Sequence, residues 1–233
     1  MCGAQISGHM TWAEIYSIQR AFLENFEMIE MNAPPADLGY NIRPTQQVRM
    51  ATLGNGAFNM STARWWFVPD SFHGASKDWK ATTFNARIET ASDKPTFSKA
   101  WKNHRCVIPA IGYYEWTGDK GNKQPWFIAP KMNEPFFWFA GLYSERKGEG
   151  ASCTILTRPA LKQIEHIHAR SPVMLSCSDV QSWLENDHVD REVLGTTFEN
   201  RMQFHTVKPI KPKDDGESLI EPYDPPAQMG FAF

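Results

Sequence analysis

The chain reads Met1-Cys2-Gly3 at its start. Removal of Met1, which the small Cys2 side chain favours, leaves one residue carrying both a free α-amine and a thiol. An α-amine titrates near 7.7–8.0, so roughly a quarter of it is neutral at pH 7.4, against about one lysine in a thousand. A neutral amine condenses with an aldehyde to a Schiff base, and a thiol on the neighbouring carbon can close that imine into a five-membered thiazolidine. The same residue could act instead as an N-terminal nucleophile, with the thiol attacking and the amine serving as base. An arbitrary second residue in a frayed terminus is the plainer alternative.

Three further stretches carry capable side chains. In Phe84-Asn85-Ala86-Arg87-Ile88-Glu89, strand alternation puts Asn85, Arg87 and Glu89 on one face. An amide beside a guanidinium suits phosphate or sugar oxygens; a solvated face with a salt bridge is the simpler reading. In Gly112-Tyr113-Tyr114-Glu115-Trp116, a carboxylate sits within an aromatic run. Partial burial there would raise its pKa towards that of a useful general acid, whereas an ordinary exposed Glu on a half-buried strand reads from the same residues. In Glu165-His166-Ile167-His168-Ala169-Arg170-Ser171-Pro172, two histidines at i, i+2 raise a metal site, but no third ligand is evident. No metal and no cofactor are expected.

These groups must be positioned by a fold that composition already bounds. At 233 residues, the chain suits one large domain or two small ones and can bury a substantial core. Nine Trp and fifteen Phe point to aromatic packing or stacking. No apolar run reaches the roughly 18–20 residues of a membrane span, and no signal-peptide pattern opens the chain. Cys2, Cys106, Cys153 and Cys177 form no CxxC pair and read as reduced thiols of a cytoplasmic protein. A formal net charge of −2 provides no global attraction to nucleic acid, so any such binding needs a local basic patch.

Periodicity and punctuation predict the elements. A short polar strand precedes a helix from about Thr11 to Met31, in which Thr11 and Glu14 have capping-box spacing and Ile15, Ile18, Phe22 and Phe26 mark the buried stripe. Asn32 to Gly39 is a loop. Residues 48–68 read as two strands around Gly54-Asn55-Gly56, and Phe72 to Lys80 as a surface loop. A strand over Phe84 to Thr90 leads into a helix from about Ser92 to His104. Short strands follow at Cys106–Ile111, Tyr113–Trp116, Pro125–Ala129, Pro135–Tyr143 and Ser152–Thr157, with turns at Gly118–Lys123 and Arg146–Gly150. A short helix over Pro159–Ile167, a strand at Pro172–Leu175, a helix from Ser178 to about Glu185 and a strand at Met202–Val207 complete the series. With no internal repeat and no long linker, the expectation is a single α+β domain on antiparallel sheet, with 211–233 as an irregular C-terminal tail.

Taken together, Met1-Cys2-Gly3, Tyr40-Asn41-Ile42-Arg43-Pro44, Asn85-Ala86-Arg87-Ile88-Glu89-Thr90, Arg105-Cys106-Val107-Ile108-Pro109-Ala110, Gly112-Tyr113-Tyr114-Glu115-Trp116, Lys123-Gln124-Pro125 and Ile167-His168-Ala169-Arg170-Ser171-Pro172-Val173-Met174-Leu175 occur in an order that resembles the SOS response-associated peptidase (SRAP) family. These are abasic-site sensors that crosslink to single-stranded DNA. The resemblance covers roughly residues 2–210 and implies a compact α+β domain with an antiparallel, β-barrel-like core, flanking helices and a groove for the DNA strand. It implies Cys2 as the crosslinking residue, Glu115 as the proton shuttle in ring opening and Schiff-base formation, and His168 as acid/base on the sugar hydroxyls and in reversal. Asn85 is implied to position the amine or the sugar, Arg87 and Arg170 to bind phosphate, and Asn41 and Pro44 to border the site. The implied partner is single-stranded DNA containing abasic sites, bound by a monomer that is nucleoid-associated when engaged.

The chain departs from the family's pattern in places. Ala4 stands where an arginine usually contacts phosphate, Trp66 replaces a glycine, and Ser71-Phe72 occupies the place of a missing Trp. That leaves Phe72 as the local aromatic able to wedge against DNA. Arg43, Arg105 and Arg158 are further candidates for the basic patch. Two other functions remain open. An N-terminal-nucleophile amidohydrolase also begins Met-Cys-Gly, but it needs an oxyanion hole and a glutamate-binding Arg. A non-catalytic single-strand binder would be indifferent to Cys2. Self-removal of Met1 by the same cysteine is compatible with the family label; general proteolysis is not expected.

Overall fold

A computed structural model describes residues 3–22, 27–29, 39–54, 56–131, 135–185, 190 and 194–225. Cys2 and Phe26 lie outside the described residues. The elements in chain order are β1 (Ala4–Ile6), α1 (Trp12–Arg20), β2 (Glu27–Ile29), β3 (Gln47–Gly54), β4 (Ala57–Trp65), β5 (Asn85–Arg87), α2 (Ile88–Ala91), α3 (Ser98–Asn103), β6 (Arg105–Ala110), β7 (Gly112–Thr117), β8 (Gln124–Pro130), β9 (Phe137–Arg146), β10 (Gly150–Pro159), β11 (Arg170–Pro172), β12 (Met174–Leu175), α4 (Asp179–Glu185) and β13 (Met202–Thr206).

Among the described residues the strands form two sheets. One has the order β1-β7-β8-β13 and is antiparallel throughout. The larger runs β11-β10-β4-β3-β6-β9-β12, and an additional β10–β9 pairing closes β10, β4, β3, β6 and β9 into a ring. The ring is uneven: β9 and β10 pair over six positions, whereas β10 meets β4 only at Ser152↔Arg64 and Cys153↔Trp65, in parallel. This is the α+β, barrel-like core that the sequence predicts, with short parallel pairings (β2–β4, β5–β10, β10–β4) added to the antiparallel frame.

Aromatic residues fill the interior. Trp65, Trp138, Trp183, Tyr113, Tyr114 and Phe137 are among the largest fully buried side chains. One buried cluster, including Val48, Trp65, Tyr113, Phe139 and Ile155, lies on one face of β7. A second, with Ala4, Ile6, Tyr40, Tyr114, Phe127 and Val207, lies on the other face, where Ile210, Leu219 and Ile220 pack against it. The strand period of two thus sends alternate residues of β7 to two different cores, with Ala4 and Ile6 of β1 joining the second. Gly112 permits the chain to enter β7: a Cβ there would stand 2.4 Å from the Phe127 ring and 2.8 Å from the Ile128 carbonyl oxygen.

Several elements end sooner than periodicity predicts. Thr11 and Glu14 form the predicted capping box, but α1 stops at Arg20 and Glu27–Ile29 is a strand paired with β4. Ile15 is fully buried as expected, whereas Phe22, read as part of the buried stripe, is 47% exposed beyond the helix end. Of the helix expected over residues 92–104, only α3 at Ser98–Asn103 is helical; residues 92–97 are turns around Pro95, and the single turn α2 lies before them at Ile88–Ala91. A proline denies its N–H to a continuing helix. At Pro159–Ile167 the strand β10 runs on to Pro159, and only Lys162–Ile164 is helical, as a 3-10 turn. The segment after β13 is irregular but packed: Asn41 Nδ2 donates to the carbonyls of Lys211 (3.0 Å) and Asp214 (2.9 Å), and the Tyr40 amide donates to Asp215 Oδ1 at 2.6 Å.

Candidate active site

Glu115 lies in the middle of β7, paired with Trp126 of β8 and flanked by aromatic residues, and it is 3% exposed. Burial pushes its carboxyl up to about 7, against the nearby Lys123 ammonium, which favours the charged form. The aromatic run accounts for the burial, since the rings of β7 and of the neighbouring β8 take the place of water around the carboxyl. A carboxyl poised near neutrality can both give and take a proton.

β1 brings the start of the chain to this strand. Ala4 pairs with Tyr114, Gln5 with Tyr113 and Ile6 with Gly112; the register carried one residue further sets Gly3 opposite Glu115. The Gln5–Ile42 bridge, with N–H···O distances of 2.9 Å in both directions, ties β1 to the Tyr40–Pro44 segment on its other side. The first residues are therefore held within the sheet from Ala4 onward.

His168 follows the 3-10 turn Lys162–Ile164. Its Nδ1 is 3.0 Å from both the backbone N–H and the carbonyl oxygen of Arg170. Either neutral tautomer thus has a partner at Nδ1, and Nε2 can carry a proton or lack one. Burial lowers the pKa of His168, and the positive charges of Lys123 and Arg170 act in the same direction. The Lys123 charge acts on both Glu115 and His168. His166 packs edge-on against Trp126 at 5.7 Å, fixing the histidine loop over the strand that pairs with Glu115.

Asn85 and Arg87 sit on β5, which pairs in parallel with β10 (Ile155↔Asn85, Thr157↔Arg87). The strand ends there; Ile88 starts α2, so Glu89 belongs to a helical turn rather than to the strand face predicted for it. Glu89 holds Arg170 in a two-pronged ion pair, one arm at 2.9 Å, and Arg170 also donates to the Thr157 carbonyl at 2.6 Å. Arg170 keeps the carboxyl of Glu89 below its ordinary range. The guanidinium of Arg170 is thus engaged in joining β11, β10 and α2. The side chain of Arg87 is exposed, with no hydrogen-bond partner among the described residues.

The remaining predicted positions fall in different settings. The side chain of Asn41 is turned to the backbone of residues 211–214 and accepts from Arg43 Nε at 3.0 Å. Pro44 opens the half-exposed turn that leads to β3. Phe72 lies on the loop after β4, edge-on to Trp79 at 5.1 Å and beneath the Arg146 guanidinium at 5.6 Å. Arg105 is not part of a surface patch: it is buried between Trp101 and Trp183, donating to the carbonyls of both. Arg158 donates to the Leu194 carbonyl at 2.5 Å. Ala4 is fully buried among Tyr40, Tyr114 and Val207. Lys123 was quoted only as part of a motif, and its electrostatic reach to both titrating groups depends on the turn after β7, which spacing alone does not reveal. Among the described residues, no group of three or more His, Cys, Asp or Glu side chains is placed to hold a metal ion, and no helix is long and apolar enough to cross a membrane.

Comparison with known proteins identifies the family and the fold. The family model described as SOS response associated peptidase (SRAP) matches residues 1–210. The abasic site processing protein YoqW of Bacillus subtilis is 32% identical over 194 residues, covering 78% of this chain and 85% of its own. The abasic site processing protein YedK of Escherichia coli is 27% identical over 208 residues, covering 84% and 91%. Among solved structures, a protein from Bacteroides thetaiotaomicron superposes with a TM-score of 0.73 at 20% identity, covering 96% of this chain and all of its own. A phage-related protein of Bordetella bronchiseptica gives a TM-score of 0.65 at 25% identity, covering 89% and 95%. With its family model matched over nearly the whole chain and the same fold in these structures, the chain belongs to the SRAP family.

Proposed function

We propose that the protein processes abasic sites in DNA by binding the single strand and forming a thiazolidine crosslink through Cys2 once Met1 has been removed. The supporting observation is the protonatable Glu115, held at a pKa of about 7 beside the strand that carries the chain's first residues. Cys2 is bonded to Gly3, so its Cα lies within about 3.8 Å of Gly3's. The family membership and the abasic site processing relatives point to the same lesion.

An abasic sugar is mostly a closed hemiacetal, and only its open form offers an aldehyde. Protonated Glu115 delivers a proton to the ring oxygen as the ring opens, and the anomeric hydroxyl gives up its own proton to neutral His168 as it becomes the aldehyde. The neutral Cys2 amine adds to the aldehyde carbon, one water leaves, and an imine remains. The Cys2 thiolate, roughly 7% of an unperturbed thiol at pH 7.4, adds to the imine carbon while the nitrogen takes a proton. Ring closure removes the imine that would otherwise promote β-elimination and strand breakage. His168, neutral because burial lowers its pKa, exchanges protons with the sugar hydroxyls through Nε2 while Arg170 holds either tautomer at Nδ1. Asn85 positions the amine or the sugar, and the exposed Arg87 takes a phosphate.

The test is to incubate the purified protein with a single-stranded oligonucleotide bearing one abasic site. A heat-stable adduct is expected from protein whose intact mass lacks Met1. Cys2→Ala should leave at most a labile imine. Undiminished stable adduct from Cys2→Ala would overturn the reading, as would glutaminase activity in place of crosslinking.

A further inference from the structure

β1 is three residues long and forms one edge of the four-stranded sheet β1-β7-β8-β13. A strand so short, at an edge and near a terminus, opens locally unless its free side is tied down. Residues 39–42 meet that side. The amides of Ser7 and Gly8 both donate to the Gly39 carbonyl at 3.1 Å, and Gln5 and Ile42 exchange two bonds of 2.9 Å. The contact is an isolated bridge rather than a ladder, so whatever fixes residues 39–42 decides how firmly the chain's start is held.

The chain beyond β13 grips that segment from its other side. It leaves one edge of the sheet after Thr206 and reaches the opposite edge at residues 211–215, where the Lys211 amide donates to Asp214 Oδ2 at 2.8 Å and the Asp214 amide to the Lys211 carbonyl at 3.1 Å. It then returns through the 3-10 turn Glu217–Ile220. His205 Nε2 donates to the Ile220 carbonyl at 2.8 Å, and the Tyr223 amide donates to the Thr206 carbonyl at 2.9 Å. Between these ties Ile210, Leu219 and Ile220 pack on the cluster of Ala4, Ile6, Tyr40 and Tyr114. The stretch therefore crosses one face of the sheet and is fastened at both edges.

Asn41 makes the fastening at the β1 edge. It is 8% exposed, its Nδ2 donates to the carbonyls of Lys211 at 3.0 Å and Asp214 at 2.9 Å, and its Oδ1 accepts from Arg43 Nε at 3.0 Å. A side-chain amide has two N–H donors, so none is left for a phosphate or a sugar. Asp215 adds a second tie by accepting the Tyr40 amide at 2.6 Å. The approach is close: a Cβ on Gly39 would stand 2.7 Å from Asp215 Oδ1.

We propose that residues 211–223 are a strap that positions the chain's start against β7, with Asn41 and Asp215 as its positioning residues, and that Asn41 serves the site through this grip and not by contact with DNA. The proposal rests on the functional reading above for what Cys2 does, and it carries the working part of the protein past residue 210, where the family match ends.

Three variants of the full chain test it. Asn41→Asp keeps the size and the acceptor for Arg43 but sets a carboxylate against two carbonyls. Asp215→Ala removes the second tie, whereas Asp215→Asn keeps its acceptor oxygen. Hydrogen exchange followed by NMR compares the Gln5, Ser7 and Gly8 amides with those of β9. Asn41→Asp and Asp215→Ala should speed exchange selectively at the three β1-side amides, and Asp215→Asn should resemble the wild type. Val180→Ala, which loosens the separate cluster beneath α4, should show no such selectivity. The crosslinking rate at saturating abasic single strand should fall in Asn41→Asp by up to about 10²-fold, the scale for a misplacement of about 1 Å. Asp215→Ala should fall less and Asp215→Asn should keep the wild-type rate. The strand concentration at half-saturation should change little in Asp215→Ala. Exchange that is unchanged, or that rises equally throughout the sheet, overturns the strap. Selective exchange with an undiminished rate overturns its positioning role, and weakened binding of Asn41→Asp at an unchanged rate returns Asn41 to the DNA contacts. A wild type that forms no adduct refutes the lesion chemistry alone, because exchange reads the strap without DNA.

Discussion

Replacing Glu115 by Gln should make the protein more stable and less active, and both effects follow from one number. The carboxyl is raised from 4.5 to about 7 by burial. Between those values the folded chain binds the proton more tightly than the unfolded chain, so stability is full below about 4.5 and falls as pH rises through 7. A displacement of that size corresponds to about 3 kcal/mol. Gln is close in size and carries no charge at any pH, so Glu115→Gln should match the wild type near pH 4.5 and exceed it by up to about 3 kcal/mol near pH 8. Urea denaturation at the two pH values measures this. The rate should respond differently. Catalysis needs protonated Glu115 together with a neutral amine titrating near 7.7–8.0, so the crosslinking rate at saturating DNA should be bell-shaped, with its maximum near pH 7.4. Only about one molecule in ten is then in the competent state. In Glu115→Gln the rate should drop by roughly 10²–10⁴-fold and the alkaline limb should disappear, leaving only the rise with amine deprotonation. A variant that retains the alkaline limb would refute the assignment of the acid. A stability difference that does not change with pH would refute the burial argument beneath it.

Other expectations follow from the same geometry. Arg87→Ala should weaken DNA binding and flatten the slope of log K against log salt by about 0.7, leaving the rate at saturating DNA near that of the wild type. Arg170→Ala should do more than remove a phosphate contact, because it takes from Glu89 the guanidinium that offsets its charge; Arg170→Ala/Glu89→Gln should recover part of the affinity, read by the same titration. His168→Ala should slow crosslinking by roughly 10²–10⁴-fold with little change in affinity, checked by single-turnover gels. Ala4→Arg, which the family pattern suggests would add a phosphate contact, should instead lower stability by more than about 3 kcal/mol, because position 4 is fully buried against Tyr40 and Tyr114; a denaturant melt decides it.

The sequence is clearest where a local rule and the tertiary structure agree. The Thr11–Glu14 capping box, the β3–β4 pair around residues 54–56 and the run from β6 to β10 all appear where punctuation and alternation place them. It misleads where a strand partner overrides local propensity. Residues 27–29 continue a helical pattern but pair with β4, and Glu89 continues an alternating pattern but turns into α2. The burial of Glu115 was readable from its aromatic neighbours. The commitment of Arg170 to Glu89 was not, because their contact spans 81 positions along the chain and depends on β10 lying between them. Arg105 shows the same limit: a cation between a predicted helix and a predicted strand reads as surface, yet two Trp carbonyls and two indole rings offset its burial.

Adjacent strand residues point to opposite sides, so Glu115 is shut away from water on one face of β7 while Trp116, the next residue, is half-buried on the other. β1 then adds the chain's start along the edge of the same strand, with Ala4 and Ile6 anchored in one core and Gln5 facing the other way. An arginine at position 4 would have to share the face occupied by Tyr40, Tyr114 and the packed segment beyond β13. In this chain that face is closed by apolar contacts, and the small side chain at position 4 leaves room there for Ile210, Leu219 and Ile220 to pack against the cluster.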